Sequence, residues 1–382
     1  MPPRAAAWLP LLLAGLATLA GLAACARSGP RLPLPIGVDE FRIPWRNAFP
    51  SDLVVTDDGA VWFTDRVAHV IGRFDPETQE FTSIPTPTPS SAPYGLIRAP
   101  DGSLWYAASK AGRLGRVDVE RRTIEEHELE GATGGPHLLA CNDGVIWFSL
   151  RESGAYGRYD TRTKETRLFN AREGDRPYSV QVAPDGRVWF SIMERPFLYE
   201  VDPETDSVTV HDFTEPPEPG MPWGSYVVVD SLTHRAQTVA IMDSTEVSKL
   251  TPQQRATVRS SRRPWRSRRI TVDETGNVWI TDYSRDRLVR FDPRTGETRA
   301  YDAARRNMDP YGIQFSPSGH IWFYAMGLNT MLALEPESGE TAFVRLPTPN
   351  SVVRNLAVDV ARRRVWLPMS DAGRLGMIKL AS

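Results

Sequence analysis

The chain repeats one phrase. A turn built on Asp-Gly or a close variant leads into a short run holding a Trp, and in the fullest copies a Gly-Arg follows about ten residues later. DGAVWFTDRVAHVIGRFD starts at Asp58, DGSLWYAASKAGRLGRVD at Asp101 and NDGVIWFSLRESGAYGRYD at Asn142; DGRVWFSI, TGNVWITD and SGHIWFYA come later. Aligned on the Trp, Trp62, Trp105, Trp147 and Trp189 lie 43, 42 and 42 apart, and Trp279, Trp322 and Trp366 lie 43 and 44 apart. Each unit holds four β-like runs, illustrated by PYGLIRA from Pro93, AVWFTD from Ala60, HVIGRFDP from His69 and EFTSIP from Glu80. Alternating and β-branched residues between turn dipeptides predict antiparallel strands. A period near 42 with four strands predicts an all-β fold, a β-propeller of four-stranded blades.

The 90 residues from Trp189 to Trp279 leave room for one further, degenerate unit: SYVVVDS from Ser225, TVAIMDS from Thr238, EVSKLTP from Glu246 and RATVRS from Arg255, with Ala240 at the Trp position. The expected count is therefore eight blades. Seven blades with this segment as an insertion is the alternative. The last unit stops after its third run, RLGMIKL from Arg374, while VDEFRIP from Val38 is a spare fourth run. Pairing the two would close the ring and remove open sheet edges.

Ahead of the repeats, Met1 to Arg4 carries one positive charge, Ala5 to Ala24 is almost wholly apolar, and Leu-Ala-Ala precedes Cys25. This pattern predicts a lipoprotein signal over residues 1–24, with Cys25 lipidated, an anchor and tether over 25–37 and the propeller over 38–382. An ordinary cleavable signal is the other reading. The expected location is outside the cytoplasm, anchored to a bacterial membrane by lipid, as a monomer. Cys141 is the one other Cys. It excludes a disulfide framework and a Cys-based metal site if Cys25 is lipidated, and its apolar context HLLAC predicts a buried thiol. A formal net charge of −2 gives no sign of a nucleic-acid partner.

The phrase P-Y-G-x-x-x-x-x-D-G-x-x-W-F followed by I-G-R resembles the virginiamycin B lyase (streptogramin lyase) family. The resemblance implies a propeller, Mg²⁺ as cofactor, and opening of a cyclic depsipeptide by elimination at an ester, with a His on a Pro-His turn as general base. It assigns that base to His137, on Pro136-His137. The sequence departs from the family pattern in three places. Gly135 precedes the Pro where a Glu is expected, Arg151 stands at the position of a metal-binding Glu with Glu152 one step on, and Pro310-Tyr311 replaces a C-terminal Pro-His turn. No metal ligand can be named, and a non-catalytic binding or scaffold propeller of the cell envelope remains the other reading.

The residue after the turn Pro in each unit is expected to face the central channel at one mouth. Counted back from the Trp, these are Ser51, Tyr94, His137, Tyr178, Trp223, Arg268, Tyr311 and Asn355. Tyr94, Tyr178, Trp223, Arg268 and Tyr311 would bind a small-molecule or envelope ligand, with aromatic faces for stacking and polar groups for hydrogen bonds. The Arg-rich run RSSRRPWRSRR from Arg259 leads into this ring and would suit carboxylate or phosphate, lipid headgroups included. Asp65, Asp243 and Asp282, three residues after the Trp position, are read as capping acids. His69, His127, His211, His234 and His320 have no ligand spacing and are read as structural or exposed.

Overall fold

The computed structural model describes residues 34–213, 225–229, 236–241, 258–260, 265–302 and 307–381. Cys25, Trp223, His234 and Asp243 lie outside them. Seven four-stranded antiparallel sheets form the blades of a propeller. Blades 1 to 6 span residues 50–85, 93–128, 139–170, 177–212, 267–302 and 310–345. Blade 7 joins the strands Ala357–Asp359, Arg364–Met369 and Arg374–Leu380 to the N-terminal strand Pro35–Arg42. The joint is antiparallel, with Val38 opposite Ile378 and Phe41 opposite Leu375. The strand Pro35–Arg42 and the last three strands thus complete one sheet. Among the described residues no helix is long and apolar enough to cross a membrane.

The repeated phrase now has a physical cause. Each Trp lies on the second strand of its blade and packs against the next blade. Trp62 meets Leu96 and Leu104, Trp105 meets Leu139 and Ile146, and Trp366 meets Leu53 and Val61. One indole supplies most of the apolar slab that two twisted sheets need between them. The aromatic after the Trp explains the Gly of the third strand. Phe63 pairs with Gly72, Tyr106 with Gly115 and Phe148 with Gly157. A Cβ on any of these glycines would overlap the facing ring.

Among the described residues the expected eighth blade is not there. Trp189 of blade 4 packs on Ile270, Val278 and Ile280 of blade 5, with nothing interposed. Ser267 Oγ donates to the Ile192 carbonyl at 2.8 Å, and Ile270 N–H donates to Ser179 Oγ at 3.3 Å. The strands Ser225–Val229, Ala236–Ile241 and Val258–Ser260 instead form a separate three-stranded sheet. Strand-like alternation was present in that segment, but a blade must also fill the gap to its neighbour. With Ala240 at the Trp position, the sequence lacks the side chain that does so. The segment is an insertion between blades 4 and 5.

Candidate functional site

The innermost strands run along the central channel, and their first residues surround one mouth of it. A hydroxyl pins this ring in three blades. Two residues after the Trp, Thr64 Oγ1 donates to the Tyr94 carbonyl at 2.6 Å, Ser149 Oγ to the Tyr178 carbonyl at 2.8 Å, and Ser191 Oγ to the Arg268 carbonyl at 3.0 Å. Each bond crosses to the next blade. The ring position is therefore set by neighbouring blades, independently of what its side chain contacts.

Strand pairing corrects one member of the ring. Ala357 lies opposite Trp366, as Val54 lies opposite Trp62. The turn between the first two strands of blade 7 is one residue longer than in blade 1, so counting back from the Trp slips by one. Arg354 occupies the position expected for Asn355. The ring is Ser51, Tyr94, His137, Tyr178, Arg268, Tyr311 and Arg354. Ser51 is buried and bonds the Phe49 carbonyl; the other six line a cavity of about 790 Å³.

Loops after the Trp strands form the cavity wall. They contribute Arg66 and His69 from blade 1, Ser109 and Lys110 from blade 2, Arg151 and Glu152 from blade 3, and Met193 from blade 4. Among the described residues, five Arg or Lys side chains thus face the space, against one carboxylate. That carboxylate is already engaged: Arg151 Nε donates to Glu152 Oε1 at 2.8 Å, and Arg176 to Oε2 at 3.2 Å. The Arg151 hydrogen bond holds the Glu152 carboxyl below its ordinary pKa.

The aromatic residues of the ring serve one another. His137 stacks on Tyr94 with ring centroids 4.2 Å apart and tilts against Tyr178 at 5.0 Å. The Tyr178 and Tyr311 hydroxyls are 2.5 Å apart across the channel. Tyr94, His137 and Tyr178 are only 6%, 8% and 2% exposed. Their faces are covered, so the cavity presents polar edges and cations in place of the stacking surface expected from the sequence. Burial pushes the Tyr94 phenol up to about 12 and Tyr178 well above its usual value, with Tyr311 adding to both. Both stay protonated donors at neutral pH. Burial, then Arg151, Arg269 and Arg66, hold the His137 pKa well below the ordinary imidazole range. Its imidazole is neutral at pH 7, and Nε2 is buried without a hydrogen-bond partner among the described residues.

Arg268 has the same deficit. Its guanidinium lies 4.9 Å from the Tyr283 ring centre and 6.0 Å from that of Tyr311, while Nε and Nη1 are buried without an acceptor among the described residues. The layer below closes the cup. Arg269 reaches across the channel from blade 5 and bonds Asp52 of blade 1 at 3.3 Å. Asp52 also accepts from the Asn355 amide and from Leu53 N–H at 2.9 Å. A second cavity of about 570 Å³ begins on the far side of this pair. Sequence reasoning missed Arg269, Asp52, Arg354, Arg66 and Lys110. Two signals were readable: charges of opposite sign in two innermost strands, and a cation four or five residues after Trp62, Trp105 and Trp147 alike.

The remaining candidates have structural partners. Asp65 Oδ2 accepts from Trp45 Nε1 at 2.8 Å and Phe49 N–H at 3.0 Å, while its Oδ1 caps Val67 and Ala68. Asp282 pairs with Arg287 at 3.1 Å. His211 bonds Glu200 at 2.7 Å, His127 stacks on Trp105, His69 accepts from Ala92 N–H, and His320 bonds Ser318. Cys141 is half-buried and edges the lower cavity, where burial raises its thiol pKa.

Mg²⁺ fails the test of the donor set. It needs hard oxygen ligands in near-octahedral array. The cup offers one carboxylate, bound on both oxygens by Arg. A Cβ at Gly135 would overlap the Ser109 carbonyl oxygen, so no acidic side chain can replace this Gly as the backbone stands. Among the described residues no group of three or more His, Cys, Asp or Glu could hold a metal ion.

Residues 31–198 match the Virginiamycin B lyase family. The match runs through most of blade 4 and stops before the insertion. The resemblance read from the repeated phrase and this match therefore agree. Among solved structures, a streptogramin B lyase superposes with a TM-score of 0.70 at 18% identity, covering 90% of this chain and 98% of that one. Virginiamycin B lyase from Staphylococcus aureus gives 0.71 at 18%, covering 90% and 99%. A catalytically inactive variant of the S. aureus enzyme with quinupristin gives 0.70 at 17%, covering 90% and 99%. At such identities the likeness shows a shared propeller fold. No curated protein matches the chain by sequence.

Proposed function

We propose that this is a lipid-anchored, extracytoplasmic binding propeller that holds a small polar molecule in the cup at the channel mouth. One observation carries the reading: six residues from six blades converge on one cavity, with Arg268 and His137 presenting buried nitrogens that have no hydrogen-bond partner among the described residues. An unmade buried hydrogen bond costs about 1–3 kcal/mol. Six blades placing polar or ionisable groups at one repeat position, where Val or Ala would pack, is more economically explained by a ligand than by the fold. The volume falls within the range of small-molecule sites.

The test is a ¹⁹F NMR screen of small fluorinated polar fragments against wild type and Met193→Trp, which puts a bulky ring at the cavity wall. Fragments that bind wild type should lose binding in the variant while the melting temperature is kept. Binding that survives the substitution places the site elsewhere.

Elimination is the second reading, favoured by the neutral imidazole of His137. Here Nε2 would take a proton beside the ester, the electron pair would form a double bond, and the C–O bond would break to release the carboxylate. Incubation with a streptogramin B depsipeptide, with and without Mg²⁺, is expected to leave the ring intact by mass analysis. Linear product of unchanged mass, falling about 10²–10⁴-fold in His137→Ala, would replace the binding reading with the enzymatic one.

The anchor is tested separately. Cys25→Ser is expected to move the protein from the membrane to the soluble fraction and to abolish its lipid mass increment. Wild-type protein without lipid by mass spectrometry would remove this part of the proposal.

A further inference from the structure

We infer that the cup is a site for an oxyanion, a small molecule carrying a carboxylate or phosphoryl group, with Arg268 as its principal anchor and Arg354 and Arg66 as supporting charges. The inference rests on the proposal that the cup is the ligand site, and it names the chemistry of what enters.

Among the described residues, cations outnumber carboxylates around one small space, and only Arg151 is closely paired there. Arg268 makes no ion pair among the described residues and stacks only on tyrosine faces. Arg354 approaches no carboxylate closer than 3.8 Å, from the half-exposed Asp371, and its Nη1 is buried without a hydrogen bond. Arg66 and Arg354 both lie over the ring of Phe49, at 4.7 and 5.2 Å, an arrangement that holds two like charges near each other. Mutual repulsion disfavours such a cluster, and a cleft lined by one sign of charge focuses its field on the space between. The one carboxylate on the wall is neutralised by its own arginines.

The layer below makes the contrast. Arg269 is as buried as a core residue, and there the sequence supplies Asp52 as its counter-ion. One residue earlier on the same strand, Arg268 has no such counterpart among the described residues. Among the described residues, the guanidinium that closes the floor has a counter-ion and the one that faces the cavity has none, though Arg269 Nε too is buried without a hydrogen bond. A planar guanidinium with unfilled donors matches carboxylate and phosphoryl oxygens in both charge and geometry. One hydroxyl of the Tyr178–Tyr311 pair keeps its proton free of that bond and can donate to the same oxygens.

Isothermal titration with benzoate, phenyl phosphate and the neutral isostere benzamide tests this on the full-length protein, with Arg268→Gln, Arg268→Lys and Arg354→Gln beside wild type. The anions should bind at least about tenfold more tightly than benzamide and weaken as NaCl is raised. Arg268→Gln should lower anion affinity about 10–100-fold and leave benzamide unchanged, with Lys restoring part of the loss. Arg354→Gln should lower it less. Preference for benzoate or for phenyl phosphate identifies the headgroup; either supports the inference. Benzamide binding as well as benzoate, anion affinity indifferent to Arg268→Gln, or no anion binding at all overturns it. If Arg268→Gln does not fold, the Arg354→Gln and benzamide comparisons decide. Neutral fragments that still enter the cup would then leave the binding proposal standing without its oxyanion.

Discussion

Deleting residues 34–42 is expected to abolish cooperative folding. The strand Pro35–Arg42 is the outer strand of blade 7, and the register from Arg42 opposite Arg374 to Pro35 opposite Leu380 would be lost with it. So would Phe41, whose ring lies 4.6 Å from Phe74 and 6.0 Å from Trp366 at the junction of blades 7 and 1. Phe41 is partly buried, so its loss alone costs less than the about 3–5 kcal/mol of a fully buried Phe. The deletion also strips Thr348 of the Glu40 carboxylate, which accepts its N–H at 2.9 Å and ties blade 6 to the closing strand. What remains is a three-stranded blade with a bare edge, open to pairing with a second copy. Thermal unfolding by circular dichroism, with light scattering in parallel, should show a broad early transition and aggregation. Phe41→Ala, which keeps the backbone pairs, should give a smaller loss and remain cooperative. A deleted protein that melts as sharply and as high as wild type would show that the ring does not depend on this closure.

The blades were legible in the sequence because each solves the same local problem in the same way. A Trp slab, an aromatic over a facing Gly and a tight turn recur wherever two sheets meet, so spacing alone locates them. The blade count was less legible. Alternation from Ser225 onward reads as strands because alternation is a local property, whereas membership of the ring depends on filling the gap to a neighbour. Trp189 packing directly on Ile280 settles that question in three dimensions. The site divides along the same line. Tyr94, His137, Tyr178, Arg268 and Tyr311 could be listed together because the repeat puts them in register. Arg354 could not, since a turn one residue longer shifts the count without disturbing the strand pairs. The covered faces of Tyr94 and His137 could not be read either, because stacking between blades depends on the ring radius. The partnership of Asp52 with Arg269 joins residues 217 apart and crosses the channel, a relation no repeat encodes.

That pair carries the second large effect. Arg269→Met is expected to destabilise the protein by about 3–5 kcal/mol, the usual cost of leaving one partner of a buried ion pair alone. Asp52 is 2% exposed, and burial already pushes its carboxyl pKa up, with Arg269, the Asn355 amide and Leu53 N–H pulling against it. Without the guanidinium the largest of these restraints is gone and the carboxyl rises further. A group whose folded pKa exceeds its unfolded value binds more protons when folded, so stability increases as pH falls through the folded pKa toward the unfolded one. Arg269→Met should therefore regain stability on acidification from neutral pH toward the ordinary carboxylate range, until other carboxylates protonate. Asp52→Asn in the same chain should recover most of the loss at neutral pH, because an amide can stay buried without a counter-charge. Urea denaturation of the two single variants and the double variant across pH would measure both effects. A single variant as stable as wild type at neutral pH would mean that the channel is wet enough to solvate Asp52 unaided. Arg269 would then not be a closed floor beneath the cup, and the upper and lower cavities would act as one passage.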